Sequence, residues 1–278
     1  MKTEISKNQK MIDNLLCEII DEEVQSDEVA LLLSGGVDSI SVAFAANRLR
    51  KNIHGYSFRL DKSTNYDYDK AKYICEIMNW KFTGIVIDTS NLVDDFYKLS
   101  KLGAKTKTNF ETIYPFIHLI PQVEEQTVLT GWAADGYYGV SKKAIINYKH
   151  TKELFDKFRD DYFLPEKQAS YSFLKKVTDM NNKNLIAPYL HDKVKEYFYS
   201  MDWYELNKPT QKHHVRTAFA KEFDKIGKVK KHLNLQLESG INVLFESLLN
   251  NKKINYKNRT RVMDICKDHY SPLNEFST

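Results

Sequence analysis

The sequence is poor in cysteine, with Cys17, Cys75 and Cys266 scattered over 278 residues and no CxxC pair among them. That excludes a spacing-defined zinc site and a disulfide framework, and it suits a reducing compartment. Long apolar runs are also missing. With no stretch of about 18 apolar residues, a membrane span is not expected. The opening residues, MKTEISKNQK, are polar and carry no apolar segment of the secretory kind. Charge of one sign is not in excess either: 41 basic against 37 acidic residues leave a formal charge of +4. So weak a field does not require nucleic acid as a partner. Internal repeats and low-complexity linkers are absent as well. What is present is apolar material, 42% hydrophobic and 13% aromatic, enough for a sizeable core and contrary to disorder. The length allows one large domain or two modest ones. The expectation is a soluble, cytoplasmic protein.

The apolar pattern alternates between short continuous runs and helical spacing. Val29–Leu33, Ile53–Leu60, Lys81–Ile87 and Thr127–Thr130 predict strands. Ser41–Leu49, Asp67–Met78, Asp94–Leu102 and Tyr114–Val123 predict the helices between and after them. Strands separated by helices at this spacing imply βαβ units and a parallel sheet. Ile5–Val24 predicts a helix ahead of them, and after about Val140 the pattern is helical throughout. The expected organisation is an N-terminal helix (1–27), an α/β nucleotide-binding domain (28–145) and a helical C-terminal part (146–278).

Ser34-Gly35-Gly36-Val37-Asp38-Ser39 lies where the first strand should turn into a helix. Such a turn collects backbone N–H groups and the positive helix end at one point, which suits an anion. Gly35 and Gly36 let the backbone approach phosphate oxygens without a Cβ in the way, and Ser34 and Ser39 add hydroxyl donors. Asp38 would repel a phosphate unless a Mg²⁺ ion lay between them. The loop is too short for a GxxxxGK[ST] cradle and has no lysine. A pyrophosphate-sized group is the better fit.

These residues resemble the PP-loop of the ATP pyrophosphatase superfamily, whose members cleave ATP between its α- and β-phosphates, and within it the synthetase domain of the asparagine synthetase family. The resemblance implies an α/β, parallel-sheet fold of the adenine nucleotide alpha hydrolase-like (HUP) type, with ATP and Mg²⁺ as cofactors. It makes Leu32 and Phe58 adenine contacts. Thr130-Gly131-Trp132-Ala133-Ala134-Asp135-Gly136-Tyr137-Tyr138-Gly139 resembles the family's Ser-Gly-Glu-Gly-Ala-Asp-Glu-x-Phe-Gly-Gly loop. By that resemblance Gly131 belongs to the nucleotide site and Asp135 joins Asp38 as a Mg²⁺ ligand. Trp132, Ala133 and Gly136 depart from the pattern, where the family has Glu, Gly and Glu.

Asn109-Phe110-Glu111-Thr112 resembles the family's Glu-Thr-Tyr-Asp stretch, which makes Glu111 the general base for the attacking amine; an acid at a helix N-terminus is the competing explanation. Lys212-x-x-x-Arg216 and Ala187–Asp192 resemble structural supports, with Asp192 capping or pairing nearby. Lys228–Ile241 resembles the tail that carries the family's catalytic lysine. Lys231 is the candidate, Lys230 the alternate, and one register would place His232 there instead; a solvated lysine run is the competing reading.

The expected activity is an ATP-dependent, AMP- and pyrophosphate-forming amide synthetase acting on a small-molecule carboxylate and an amine or ammonia. Residue 2 is Lys, not the catalytic Cys of glutamine-using relatives, so free ammonia or a separate glutaminase chain would supply the nitrogen. Two alternatives stay open. One is a PP-loop enzyme that activates a carbonyl oxygen of a nucleobase with the help of cysteines; the other is a degenerate ATP-binding module serving a partner.

Overall fold

A computed structural model describes residues 11–227 apart from 62, 64 and 105, together with 235 and 239–250. Five strands form one sheet in the order β3-β2-β1-β4-β5, and every pairing is parallel. They are β1 (Glu28–Leu32), β2 (Asn52–Leu60), β3 (Lys81–Ile87), β4 (Thr127–Leu129) and β5 (Asn184–Ile186). Val29 pairs with Ile53 and Ala30 with Val128, so β1 is covered on both sides. That explains its unbroken apolar run, since a central parallel strand is buried on both faces.

Helix α1 (Ile12–Glu23) precedes β1, α2 (Val37–Arg48) joins β1 to β2, and α3 (Tyr66–Met78) joins β2 to β3. In α1, Ile12, Leu16, Ile19 and Ile20 are fully buried. Their i, i+4, i+7, i+8 spacing is one helix face, and each contributes roughly 1.5–3 kcal/mol by burial. Asn65 starts α3: its side-chain oxygen accepts from the Asp67 and Tyr68 amides, and its Nδ2 donates to the Phe58 carbonyl. One residue thereby caps a helix and pins it to the end of β2.

Two apolar cores lie on the sheet. One joins α1, α2 and α3 to residues 133–226, including Phe155, Tyr189 and Phe198. The other takes Phe96, Phe110, Leu174 and Phe245 from the helices Leu92–Lys101, Lys107–Ile113, Ala169–Met180 and Ile241–Asn250, and Tyr114 from the turn after Lys107–Ile113.

The structure departs from the sequence expectations in four places. The helix expected over Tyr114–Val123 is broken into Phe116–Leu119 and a 3₁₀ turn, Ile120–Gln122. Pro115 and Pro121 lack the N–H that a continuous helix needs. The C-terminal part is not wholly helical. β5 is three residues long and becomes a strand by pairing with β4, so the sheet crosses the boundary expected at 145. Within that part, expected to be helical throughout, the chain from His213 to Ile226 is divided at Phe219 into His213–Ala218 and Ala220–Ile226. Finally, the cap of the helix Asp192–Tyr199 is His191, whose Nδ1 accepts from the Lys193 amide; Asp192 is its first residue.

Candidate active site

In an open parallel sheet the usual ligand crevice lies outside the carboxyl ends of the strands where the strand order reverses. Here β1 is followed along the sheet by β2 on one side and β4 on the other, so that crevice opens over the ends of β1 and β4. A cavity of about 370 Å³ is found there. Its walls include Ser34, Asp38 and Ser39 from the turn into α2, Phe58 from β2, and Gly131 and Asp135 from beyond β4.

The turn into α2 is shaped by its own short side chains. The Gly36 amide donates to Ser34 Oγ at 3.2 Å, the Ser34 amide to Ser39 Oγ at 3.3 Å, and Ser39 Oγ donates to the Gly36 carbonyl at 3.1 Å. Gly35 has φ +68° and carries the stem of Lys70 2.8 Å from where a Cβ would be. A side chain there would be both strained and crowded. Gly131 faces a tighter approach: its Cβ would meet the Asp38 carbonyl carbon at 2.4 Å and the Ser39 nitrogen at 2.5 Å. The loop after β4 therefore rests directly on the first turn of α2, which carries Asp38 and Asp135 toward the same place.

What joins them is Lys212. Its Nζ donates to Asp38 Oδ1 at 2.7 Å, Asp38 Oδ2 at 2.6 Å and Asp135 Oδ1 at 2.5 Å. Burial on its own would lower the ammonium's pKa, but the charges of Asp38 and Asp135 outweigh it and hold the pKa above the ordinary lysine value. Lys212 has a left-handed backbone, φ +57°, a conformation a lysine adopts at some cost. Asn207 holds it there by accepting from the Lys212 amide at 3.1 Å, while its Nδ2 donates to the Tyr138 carbonyl at 2.8 Å. The helix Trp203–Asn207, closed by a capping box between Asp202 and Glu205, thus ties Lys212 to the short helix Ala134–Tyr138 that carries Asp135.

Among the sequence candidates, the structure brings Leu32, Ser34, Asp38, Ser39, Phe58, Gly131 and Asp135 to one cavity. Gly35 and Gly36 form the turn beneath it. Glu111 is buried, 3% exposed, but it is its neighbour Thr112 that lines the cavity. Glu111 is the fifth residue of the helix Lys107–Ile113, whose first turn holds no acid, so the helix dipole does not explain it. Lys230, Lys231 and His232 lie outside the described residues; Leu235 and Ser239, beyond them in the chain, line the cavity. Lys212, expected from the sequence only as a support, is joined to Asp38 and Asp135. Its signal was weak, a lysine four residues from an arginine, because nothing local shows that the chain returns to the strand ends.

A family model, asparagine synthase, matches residues 11–180, more than half of the chain and all of the strands but β5. The chain belongs to the asparagine synthase family. Its Ser34–Ser39 turn is accordingly a PP-loop, and the family uses ATP. No curated protein matches it in sequence. Among solved structures, a "predicted subunit of tRNA methyltransferase" from Methanocaldococcus jannaschii aligns over 70% of this chain and 87% of its own, with 16% identity and a TM-score of 0.34. An NH3-dependent NAD synthetase from Campylobacter jejuni aligns over 80% and 98%, with 19% identity and a TM-score of 0.35. At those scores neither bears on the chemistry.

Proposed function

We propose that this asparagine synthase family member is an ATP-dependent carbon–nitrogen ligase that forms an acyl-adenylate and then an amide. The observation that carries the reading is the convergence of Asp38, Asp135 and Lys212 in front of the PP-loop, where both aspartates line a cavity at the strand-order reversal. Opposed charges held at an anion-binding turn suit the departure of pyrophosphate, where negative charge must be balanced as it develops.

In the first step an oxygen of the substrate carboxylate attacks the α-phosphorus of ATP. The bond from that phosphorus to the bridging oxygen breaks, and pyrophosphate leaves with the electron pair. The PP-loop amides and the hydroxyls of Ser34 and Ser39 bind the leaving phosphates, and the Lys212 ammonium supplies positive charge beside them. Leu32 and Phe58 offer apolar walls for the adenine. In the second step an amine attacks the acyl carbon, a base takes its proton, and the acyl C–O bond breaks to release AMP. Glu111 is the candidate base and Lys230 or Lys231 the candidate lysine for the α-phosphate. Holding both reactants in line supplies up to roughly 7–11 kcal/mol of such a barrier in the best cases.

Three carboxylate oxygens of Asp38 and Asp135 lie within 2.5–2.7 Å of a single point, the Lys212 nitrogen. Carboxylate oxygens are the donors that a hard divalent ion such as Mg²⁺ takes, and such an ion would replace the Lys212 ammonium between them. Asp38 and Asp135 would hold it, and it would neutralise charge on the pyrophosphate.

The nucleobase-activating alternative finds less support. Cys266 lies outside the described residues; of the two described cysteines, burial pushes the Cys75 thiol up to about 12 and, with Arg48 opposing, the Cys17 thiol up to about 11, and neither lines the cavity. A thiolate nucleophile needs the opposite. The test is product analysis. ATP with a panel of carboxylates should yield AMP and pyrophosphate only when an accepted acid is present; ADP and phosphate would overturn the reading.

A further inference from the structure

Gly136 stands where the family's loop has an acid, and its neighbour explains the exchange. It lies inside the helix Ala134–Tyr138 and is not one of the glycines with positive φ, so backbone freedom is not what it supplies. It supplies room. A Cβ at position 136 would overlap Cδ1 and Cε1 of Tyr162, so the edge of that ring rests on the backbone next to Asp135. Tyr162 ends the helix Lys152–Tyr162. Phe155, seven residues earlier on the same face, rests on a second glycine in the same way: a Cβ on Gly139 would overlap its Cε2. The helix is therefore seated against the helix of Asp135 at two points that both exclude a side chain. Phe158 and Phe163 flank the Tyr162 ring, with centroids 6.1 and 5.1 Å away, and Gln168 Nε2 donates to the Tyr162 carbonyl at 2.8 Å.

Held in this way, Tyr162 lines the same cavity as Ser34, Asp38, Ser39 and Asp135. Burial first, then the charges of Asp135 and Asp38, hold its pKa above the ordinary tyrosine value. The hydroxyl keeps its proton and is a donor on the same cavity wall as the PP-loop serines. A phenol suits that place better than an acid. It adds no negative charge beside Asp38 and Asp135, and it can donate to a phosphate oxygen in a charge-assisted bond. Because the ring is already fixed, little side-chain freedom is lost when that bond forms.

Resting on the reading of the PP-loop given above, we infer that the Tyr162 hydroxyl is a further binding group of this site, that it donates to the pyrophosphate end of ATP, and that Gly136 is the residue that admits it. The test is calorimetry of the full chain with inorganic pyrophosphate and Mg²⁺. Tyr162→Phe keeps the ring over Gly136 and removes only the hydroxyl. It should weaken pyrophosphate binding about tenfold or more, with AMP affinity and melting temperature near the parent values, and lower kcat for pyrophosphate release by a similar factor. Gly136→Ala should expel the ring and give a similar loss, and the two losses should not add in the double variant. Pyrophosphate affinity within twofold of the parent in Tyr162→Phe overturns the inference. So does an equal loss of AMP affinity, which would mark a distorted site, and so does a parent chain that binds no pyrophosphate. Losses that add overturn the role given to Gly136. None of these results touches the ligase reading, which product analysis decides. Conversely, the expected binding losses in a chain that forms no AMP and pyrophosphate with any acid keep the Tyr162 assignment and overturn the ligase reading.

Discussion

The two ends of the sheet carry buried polar clusters that differ in one respect. At the amino ends of β2 and β3, His54 Nδ1 meets Glu125 Oε1 at 2.7 Å, His54 Nε2 meets Thr83 Oγ1 at 2.7 Å, and the Tyr56 hydroxyl donates to Glu125 Oε2 at 2.9 Å. Each group there is turned onto another, and the satisfied network holds strands together. At the carboxyl ends, Asp38 and Asp135 border a cavity and are bridged by a lysine held in a strained conformation. Strain and facing carboxylates cost stability, and such costs gather where a ligand is to be met. Polarity alone does not mark a site; polarity that faces space does.

Replacing Asp38 with Asn should give the largest separation between the ends. Pyrophosphate release is expected to fall about 10²–10³-fold with little change in melting temperature, and release within threefold of the parent would break the contrast. Lys212→Met should cost somewhat less, about 10²-fold in the same assay, and weaken binding of pyrophosphate itself. At the other end, Glu125→Ala strands the His54 ring and the Tyr56 hydroxyl without their acceptor. Chemical denaturation should show a loss of about 1–3 kcal/mol with an unchanged KM for ATP.

Histidine sharpens the contrast further. His214, between the hydroxyls of Tyr197 at 2.7 Å and Tyr138 at 3.4 Å, is depressed by burial to about 4. Its folded pKa lies below its unfolded one, so the unfolded chain takes up the proton first. Stability is full above about 6.5 and declines as pH falls from there toward 4, by on the order of 2 kcal/mol. His214→Gln should flatten that part of a melting-temperature profile, and an unchanged slope would contradict the assignment. The smallest effect is expected at Ala133, whose φ is +77° where it caps the helix Ala134–Tyr138 that carries Asp135. Ala133→Gly relieves a left-handed alanine and should add about 0.5–1 kcal/mol, read as a higher melting temperature.

Much of this arrangement is legible before folding. β1, β2 and β3 are long enough for their apolar runs to show, and the turn from Ser34 to Ser39 declares an anion site because glycines and hydroxyls act through local backbone geometry. β5 was not legible: Asn184–Ile186 is three residues, and only β4 makes it a strand. Neither was Lys212, which stands 174 residues from Asp38 and is positioned by Asn207.

The amino-acid order alone determined the alternation of strands and helices and the phosphate-gripping turn, since propensity, apolar spacing and glycine's freedom all operate within about ten residues. Only the tertiary structure decided which charges meet across the strand ends, that a lysine bridges the two aspartates, and that Tyr162 takes the space over Gly136. Those pairings depend on loops closing over long separations, and packing, not local preference, selects among them.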